Sequence, residues 1–355
     1  MGITGNKGEW SELYALVELL HTGKLYAADE NLQRIDEIYF PVLRVFRELG
    51  KPGQIDFVIK SGDVDVLVSG EKVSSLPASY LDRVRNHIYQ GIVSGEGRSF
   101  EIQGVEDVMQ ELHIDAIKAR SSDKADIIMQ IHDIHTGYKP VCGFSIKSEL
   151  GHPPTLLNAS GATNFVYEIL GISDQDMTRI NSIVTDSKIL DRISAITACA
   201  QLRFKGAQNS GFSTNLMFID SYMEEIIGAL LLDYYQNKAS DCKSLIALVE
   251  NENPLGYPRE GLYTYKFKKF LCSVALGMMP SKEWDGQDEA NGGYVIVKED
   301  GEVLAYHLYN RGAFETYLLN NTKLERGSTS RHGFASIYKE NGKYYINLNL
   351  QIRFL

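Results

Sequence analysis

Asp126 and Lys147 are the two residues of this sequence whose types and spacing best suit chemistry. They lie in the stretch 124–148, where two short apolar runs, Asp126–Asp133 and Val141–Ser148, flank a polar connection containing Thr136-Gly137-Tyr138-Lys139-Pro140. Short β-branched runs about a Gly/Pro connection predict a β-hairpin. Side chains alternate between the faces of a strand. Ile127, Met129, Ile131 and Asp133 therefore share one face of the first run, and Asp126, Ile128, Gln130 and His132 the other. On the second run Phe144, Ile146 and Ser148 oppose Ser145, Lys147 and Glu149. Folding about the turn brings Asp126 near Lys147, a carboxylate beside an ammonium on an apolar backing. Phosphodiester hydrolysis needs charge stabilisation in the transition state and an activated water. Mg²⁺ held by carboxylates supplies both, and a lysine can orient or deprotonate the water. On this reading Asp126 is the principal metal ligand, with Asp133, nearer the turn, ranked second. A plain sheet rim that holds one acid and one lysine would give the same pattern.

Other constellations are weaker. His132 and His135 sit at a strand end with no metal partners in the pattern, and read as a turn pair. The run Glu325-Arg326-Gly327-Ser328-Thr329-Ser330-Arg331-His332-Gly333 offers two arginines with hydroxyls between them. Arg326, Ser328 and Arg331 could hydrogen-bond guanine edges and phosphates, or the run could be a solvated loop.

The elements that must position these groups follow from capping and periodicity. Asn6 with Glu9 three residues on reads as a capping box, opening a helix whose Trp10, Leu13, Tyr14, Val17 and Leu20 form the apolar stripe and which ends at His21-Thr22-Gly23. Glu9 falls at the stripe's edge and could reach the sheet, or be only the cap's partner; Glu12 is expected on a solvated face. Residues 35–49 read as helical, ending at Gly50-Lys51-Pro52-Gly53. Strands are expected at 55–60 and 64–69, a helix at 76–91, a glycine-rich loop or weak strand pair at 91–104 and a helix at 105–112. Ala119-Arg120-Ser121-Ser122-Asp123 leads into the hairpin. Beyond it, 149–164 reads as a surface loop, with Thr163 or Asn164 capping a helix at 165–170. Longer helices are expected at 174–204 and 221–250, and a helix with one basic side at 257–279. Strands are expected at 294–298, 302–308, 335–339 and 343–353, with hairpin turns at Glu299-Asp300-Gly301-Glu302 and Glu340-Asn341-Gly342-Lys343.

The 355 residues, 44% hydrophobic, suit a globular protein with a sizeable core. No apolar run reaches the roughly 18 residues of a membrane span, and the first ten residues lack a secretion-signal plan. Cys142, Cys199, Cys242 and Cys272 are far apart, so neither disulfides nor a cysteine zinc site is expected, and a cytoplasmic location with no membrane partner follows. A net charge of −10 disfavours sequence-independent nucleic-acid binding but allows a local positive field. Residues 321–355 supply one, with six basic residues against two acids.

Segments spread along the chain carry a resemblance. Gly-Asn-Lys-Gly-Glu-Trp-Ser-Glu (5–12), Gly-Lys-Leu-Tyr-Ala-Ala-Asp (23–29), Gly-Phe-Ser-Ile-Lys-Ser (143–148), Thr-Leu-Leu-Asn-Ala-Ser (155–160), Thr-Asn-Phe (163–165), Ser-Thr-Ser-Arg-His-Gly-Phe (328–334) and Asn-Leu-Gln-Ile-Arg-Phe (349–354) together resemble the HpaII family of type II restriction endonucleases. The resemblance implies a mixed α/β (α+β) fold: a PD-(D/E)XK core with a central mixed sheet flanked by helices at 1–205, and an α+β part at 206–355 for DNA recognition and dimerisation. It implies Mg²⁺-dependent cleavage of double-stranded DNA at CCGG, a homodimer and a companion DNA methyltransferase. Asp126 and Lys147 match the family's catalytic acid and lysine. Ser145 stands where the superfamily carries an acid, so the third ligand is sought elsewhere: Glu9 is favoured over Glu149 and Glu168. Arg326 and Arg331, with Ser328, and Thr155, Asn158 and Asn164 of the 149–164 loop, are the candidate DNA contacts. A structure-specific nuclease (junction resolvase or repair nuclease) on the same core, and a non-catalytic DNA-binding protein, which Ser145 keeps open, are the alternatives.

Overall fold

The computed structural model describes residues 2–48, 54–117, 125–307 and 310–355. The lead-in 119–123, the helix end expected at 50–53, Lys124 and Leu308 lie outside them. The chain divides into two compact units, 1–154 with 288–314, and 155–287 with 315–355. Residues 155–205, expected with the nuclease core, thus fall in the second unit, and 288–314 return to the first.

The first unit is built on a nine-stranded mixed sheet. Its order is Lys24–Ala28, Val303–His307, Gly293–Val297, Val141–Ser148, Ile127–Ile131, Arg34–Glu48, Gln54–Ile59, Asp63–Val68 and Glu71–Pro77. Lys24–Ala28 also pairs with the first half of Arg34–Glu48, so six of the strands link back on themselves. Arg34–Glu48 is the element that the helical reading missed. Pro41 lies at its middle, where a helix would lose a hydrogen bond and meet a ring clash. Instead 34–41 pairs with one neighbour and 42–48 with two others. The two hairpin strands expected at 126–133 and 141–148 are present and antiparallel.

Helix Lys7–Thr22 covers one face of this sheet. Asn6 Oδ1 accepts from Glu9 N at 3.0 Å and Glu9 Oε2 accepts from Asn6 N at 2.9 Å, which closes the expected capping box. Gly23, in the left-handed region at φ 61°, ends it. Trp10, Leu13, Val17 and Leu20 form one core with Ile127, Met129, Ile131, Phe144 and Ile146. Alternation along the hairpin was therefore read in the right phase: Asp126, Ser145 and Lys147 belong to the other face. Glu12, expected in solvent, is half-buried, and its charge acts on Arg47 of the neighbouring Arg34–Glu48 strand. The helix expected at 76–91 runs from Ala78 to Ser94, and the glycine-rich stretch after it holds a two-residue strand, Phe100–Glu101. A helix at Val105–Glu111 is as expected.

In the second unit a four-stranded sheet has the order Gln201–Ala207, Asn164–Leu170, Lys343–Asn349, Ile337–Glu340, and a three-stranded one joins Thr155–Leu157, Ile352–Phe354 and Thr322–Leu324. Residues 165–170, expected to be helical, are a strand, with Phe165, Tyr167 and Ile169 buried at alternate positions. The long helix expected at 174–204 is two helices, Asp174–Asn181 and Lys188–Thr197, followed by a strand. That expected at 221–250 is Met223–Tyr235 and Cys242–Glu252, split where Asn237 turns left-handed and Asp241 caps the second helix. The basic helix at 257–279 is Leu262–Leu276. Both hairpin turns, after 297 and after 340, are found. Eleven α-helices are present among the described residues, none of the helices long and apolar enough to cross a membrane.

Candidate active site

The turn sets the register of the hairpin. Asp133, 4% exposed, accepts from the backbone N–H of His135 and of Thr136 and from the Thr136 hydroxyl, while Gly137 takes φ 73°. Asp133 is thereby committed to the turn and His135 belongs to it, as the sequence suggested. Ile127 then faces Phe144, which places Asp126 opposite Ser145 rather than opposite Lys147. Asp126 N donates to Phe144 O at 2.8 Å, so the pairing continues one residue past the strand. Gly143 permits the close approach: a Cβ there would come within 2.7 Å of Ala125 Cβ.

Three side chains form one hydrogen-bonded chain. Lys147 Nζ donates to Ser145 Oγ at 3.1 Å, and Ser145 Oγ donates to Asp126 Oδ2 at 3.0 Å. The Ile146 N–H also donates to Oδ2, at 2.7 Å. Hydrogen bonds to an ionised partner are the stronger kind, of about 1.5–3 kcal/mol each. Both bonds converge on Oδ2, and none of the described hydrogen bonds uses Oδ1. Ser145 is 6% exposed and Lys147 half-buried. On the far side of the hairpin Gly293–Val297 pairs in parallel with Val141–Ser148, which sets Tyr294 beside Ser145. The Tyr294 ring lies 5.4 Å from Lys147 Nζ, within cation–π range, and packs on Phe314. Tyr294 was invisible in the sequence because its place depends on a strand pairing across about 150 residues.

The other acids have their own roles. Glu9 carries the capping box. Glu149 N donates to Val297 O, and partial burial and then the Glu299 carboxylate push the Glu149 carboxyl up from its ordinary range. Glu168, 4% exposed, lies on a strand of the second unit, not on a helix. It is ion-paired with Lys343 at 3.2 Å and Arg203 at 3.9 Å. Among the described residues no group of three or more His, Cys, Asp or Glu is placed to hold a metal. Asp126 and Ser145 offer one carboxylate with Oδ1 turned from the hydrogen bonds, and one hydroxyl. That set does not suit zinc, which takes three or four protein ligands. It does suit Mg²⁺, which keeps several waters and shares itself between one or two carboxylates and substrate phosphates.

The candidate DNA contacts lie in the second unit. Arg326, Ser328 and Arg331 are exposed, and the Arg326 guanidinium sits 5.7 Å over the Tyr234 ring. The positive excess of 321–355 is partly neutralised, since Arg353 pairs with Glu325, Lys339 with Asp174 and Lys343 with Glu168. No described ion pair involves Arg326 or Arg331. Asn158 is exposed, and Thr155 is half-buried in a strand opposite Arg353. Asn164 is the correction: it is 2% exposed and both ends of its amide are used. It positions its neighbours and does not face solvent.

A family model described as HpaII restriction endonuclease matches residues 6–354. Type II restriction enzyme HpaII of Haemophilus parainfluenzae is 39% identical over 358 residues, which cover 99% of each chain. No solved structure matches this chain.

Proposed function

Because the chain belongs to the HpaII restriction endonuclease family, and is therefore a type II site-specific deoxyribonuclease, we propose that it hydrolyses both strands of duplex DNA at CCGG with Mg²⁺. Membership sets aside the resolvase and non-catalytic readings. The observation that carries the site assignment is the Lys147–Ser145–Asp126 chain of hydrogen bonds on adjacent strands; that Asp126 and Lys147 are the family's acid and lysine rests on the resemblance. CCGG, and the methyltransferase expected beside such an enzyme, rest on the family resemblance.

In this reading Asp126 would hold the cation, while Ser145 and the Ile146 N–H hold its Oδ2 and fix the carboxylate plane. A divalent ion held there would supply positive charge at the scissile phosphate and activate the attacking water. Lys147, linked to that carboxylate through Ser145 Oγ, is placed to contact the phosphate and orient the attacking water. Ser145 takes the slot of the missing acid as a hydrogen-bonding link, which leaves one carboxylate, Asp126, in this chain of hydrogen bonds. Cutting both strands of a palindrome calls for two such sites related by a twofold axis, hence a homodimer on DNA.

The test is digestion of a sequenced plasmid with the purified protein and Mg²⁺. Fragments that match the CCGG map are expected, and none with a chelator. A smear, or a ladder matching another sequence, contradicts the proposed specificity.

A further inference from the structure

Four side-chain amides in the second unit form a network whose polarity is forced. Asn349 Nδ2 donates to the backbone carbonyl of Ser160 at 2.7 Å and to Asn164 Oδ1 at 2.7 Å. Asn164 Nδ2 donates to the backbone carbonyl of His332 at 2.9 Å and to Gln208 Oε1 at 3.0 Å. A carbonyl can only accept, so each anchored amide must present its nitrogen there, and Asn164 must turn its oxygen to Asn349. Gln208 in turn must offer its oxygen inward. Asn347 Nδ2 reaches the same Oε1 at 3.3 Å, with Asn347 Oδ1 accepting from the Tyr338 hydroxyl. Asn164, Asn347 and Asn349 are 2%, 5% and 1% exposed, whereas Gln208 is exposed.

The outcome is an exposed glutamine whose head-group oxygen is tied down by two amides. No described hydrogen bond uses Gln208 Nε2. Its backbone is held as well: Gln208 N donates to Asn164 O, and Asn209 caps the next helix. Because Asn164 Nδ2 bridges Gln208 Oε1 and His332 O, this head group lies alongside the Arg331–His332 segment expected to meet DNA.

A free glutamine reads adenine, accepting from N6 and donating to N7. With its oxygen occupied, Gln208 presents donors only. Guanine offers two acceptors in the major groove, N7 and O6, and adenine sets its own N6 amino group against a donor. We infer that Gln208 is a specificity-determining residue that donates to the N7 and O6 edge of a guanine and rejects adenine there. The inference rests on the reading of the chain as a CCGG-cutting nuclease. The buried network is what sets the polarity of the contact.

The experiment measures kcat/KM for cleavage of short CCGG duplexes in which each guanine in turn is replaced by 7-deazaguanine or by adenine, with paired bases adjusted. The wild type is expected to lose about 10- to 100-fold on one of the 7-deazaguanine duplexes. Gln208→Ala should lose about as much on unmodified DNA and be indifferent to that one substitution. Gln208→Glu keeps an acceptor for Asn164 and Asn347 and removes the donors, so it should lose at least as much. Unchanged cutting by Gln208→Ala, or wild-type sensitivity of that variant to every 7-deazaguanine, would overturn the inference. A general loss of fold would show as a lowered Tm and would not remove sensitivity at a single guanine. Should the wild type cut another sequence, CCGG itself is wrong; the same series is then run on the guanines of that sequence, and a site without guanine refutes Gln208 as well.

Discussion

Each unit of the molecule contains a chain of side-chain hydrogen bonds, and the two differ in charge and in what anchors them. In the first unit Lys147, Ser145 and Asp126 run from a cation through a hydroxyl to a carboxylate, at the rim of a hairpin. In the second unit Asn349, Asn164, Asn347 and Gln208 are all neutral, three of them buried, with the direction of their hydrogen bonds fixed by the carbonyls of Ser160 and His332. A charged chain keeps ionised groups close together and leaves an oxygen for a cation, which suits bond breaking. A neutral network has no charge to give, but in a low-dielectric interior it holds one orientation firmly, which suits reading. The difference separates the positions where a deletion should slow chemistry from those where it should blur recognition or loosen the fold.

Removing the middle of the charged chain sharpens that contrast most. Ser145→Ala takes away the hydroxyl that Lys147 donates to and that donates to Asp126. Its expected result is a fall of about 10- to 100-fold in kcat, with KM for DNA and Tm nearly unchanged, because orienting partners of this kind have effects of that size. A stability loss with unaltered kcat would place Ser145 among plain sheet residues. The matching deletion in the neutral network is Asn164→Ala. It leaves Gln208 Oε1 and the His332 carbonyl without their shared donor, a cost of about 1–3 kcal/mol, read as a Tm several degrees lower. Cleavage of the cognate site should fall only a few-fold, while the penalty for adenine at the guanine read by Gln208 shrinks. A large kcat loss with normal Tm would break the proposed division of labour.

What could be read in advance followed the range of the interactions. Asp126 and Lys147 stood out because period-two alternation is local, and Asn6 with Glu9 declared a helix start within four residues. The strand Arg34–Glu48 was misread as a helix because its apolar spacing is ambiguous and its pairing changes near Pro41 from one neighbour to two others, of which Ile127–Ile131 is distant in sequence. Asn164 looked like a surface cap in a run of small polar residues, and only its pairing with Asn349 across the sheet buries it. Ser145 looked like a defect when judged by residue type. Its position directly opposite Asp126, two residues before Lys147 on the same strand face, turns it into the link between them.

The central claim is that this chain of three residues breaks the phosphodiester bond. It is tested most directly by Lys147→Ala, assayed for cleavage of a CCGG plasmid in Mg²⁺ and for DNA binding without the metal. The account predicts a roughly 10²- to 10³-fold lower cleavage rate, the size of losing a charge-stabilising group, with binding of the same duplex largely retained. Cleavage at the wild-type rate would contradict it.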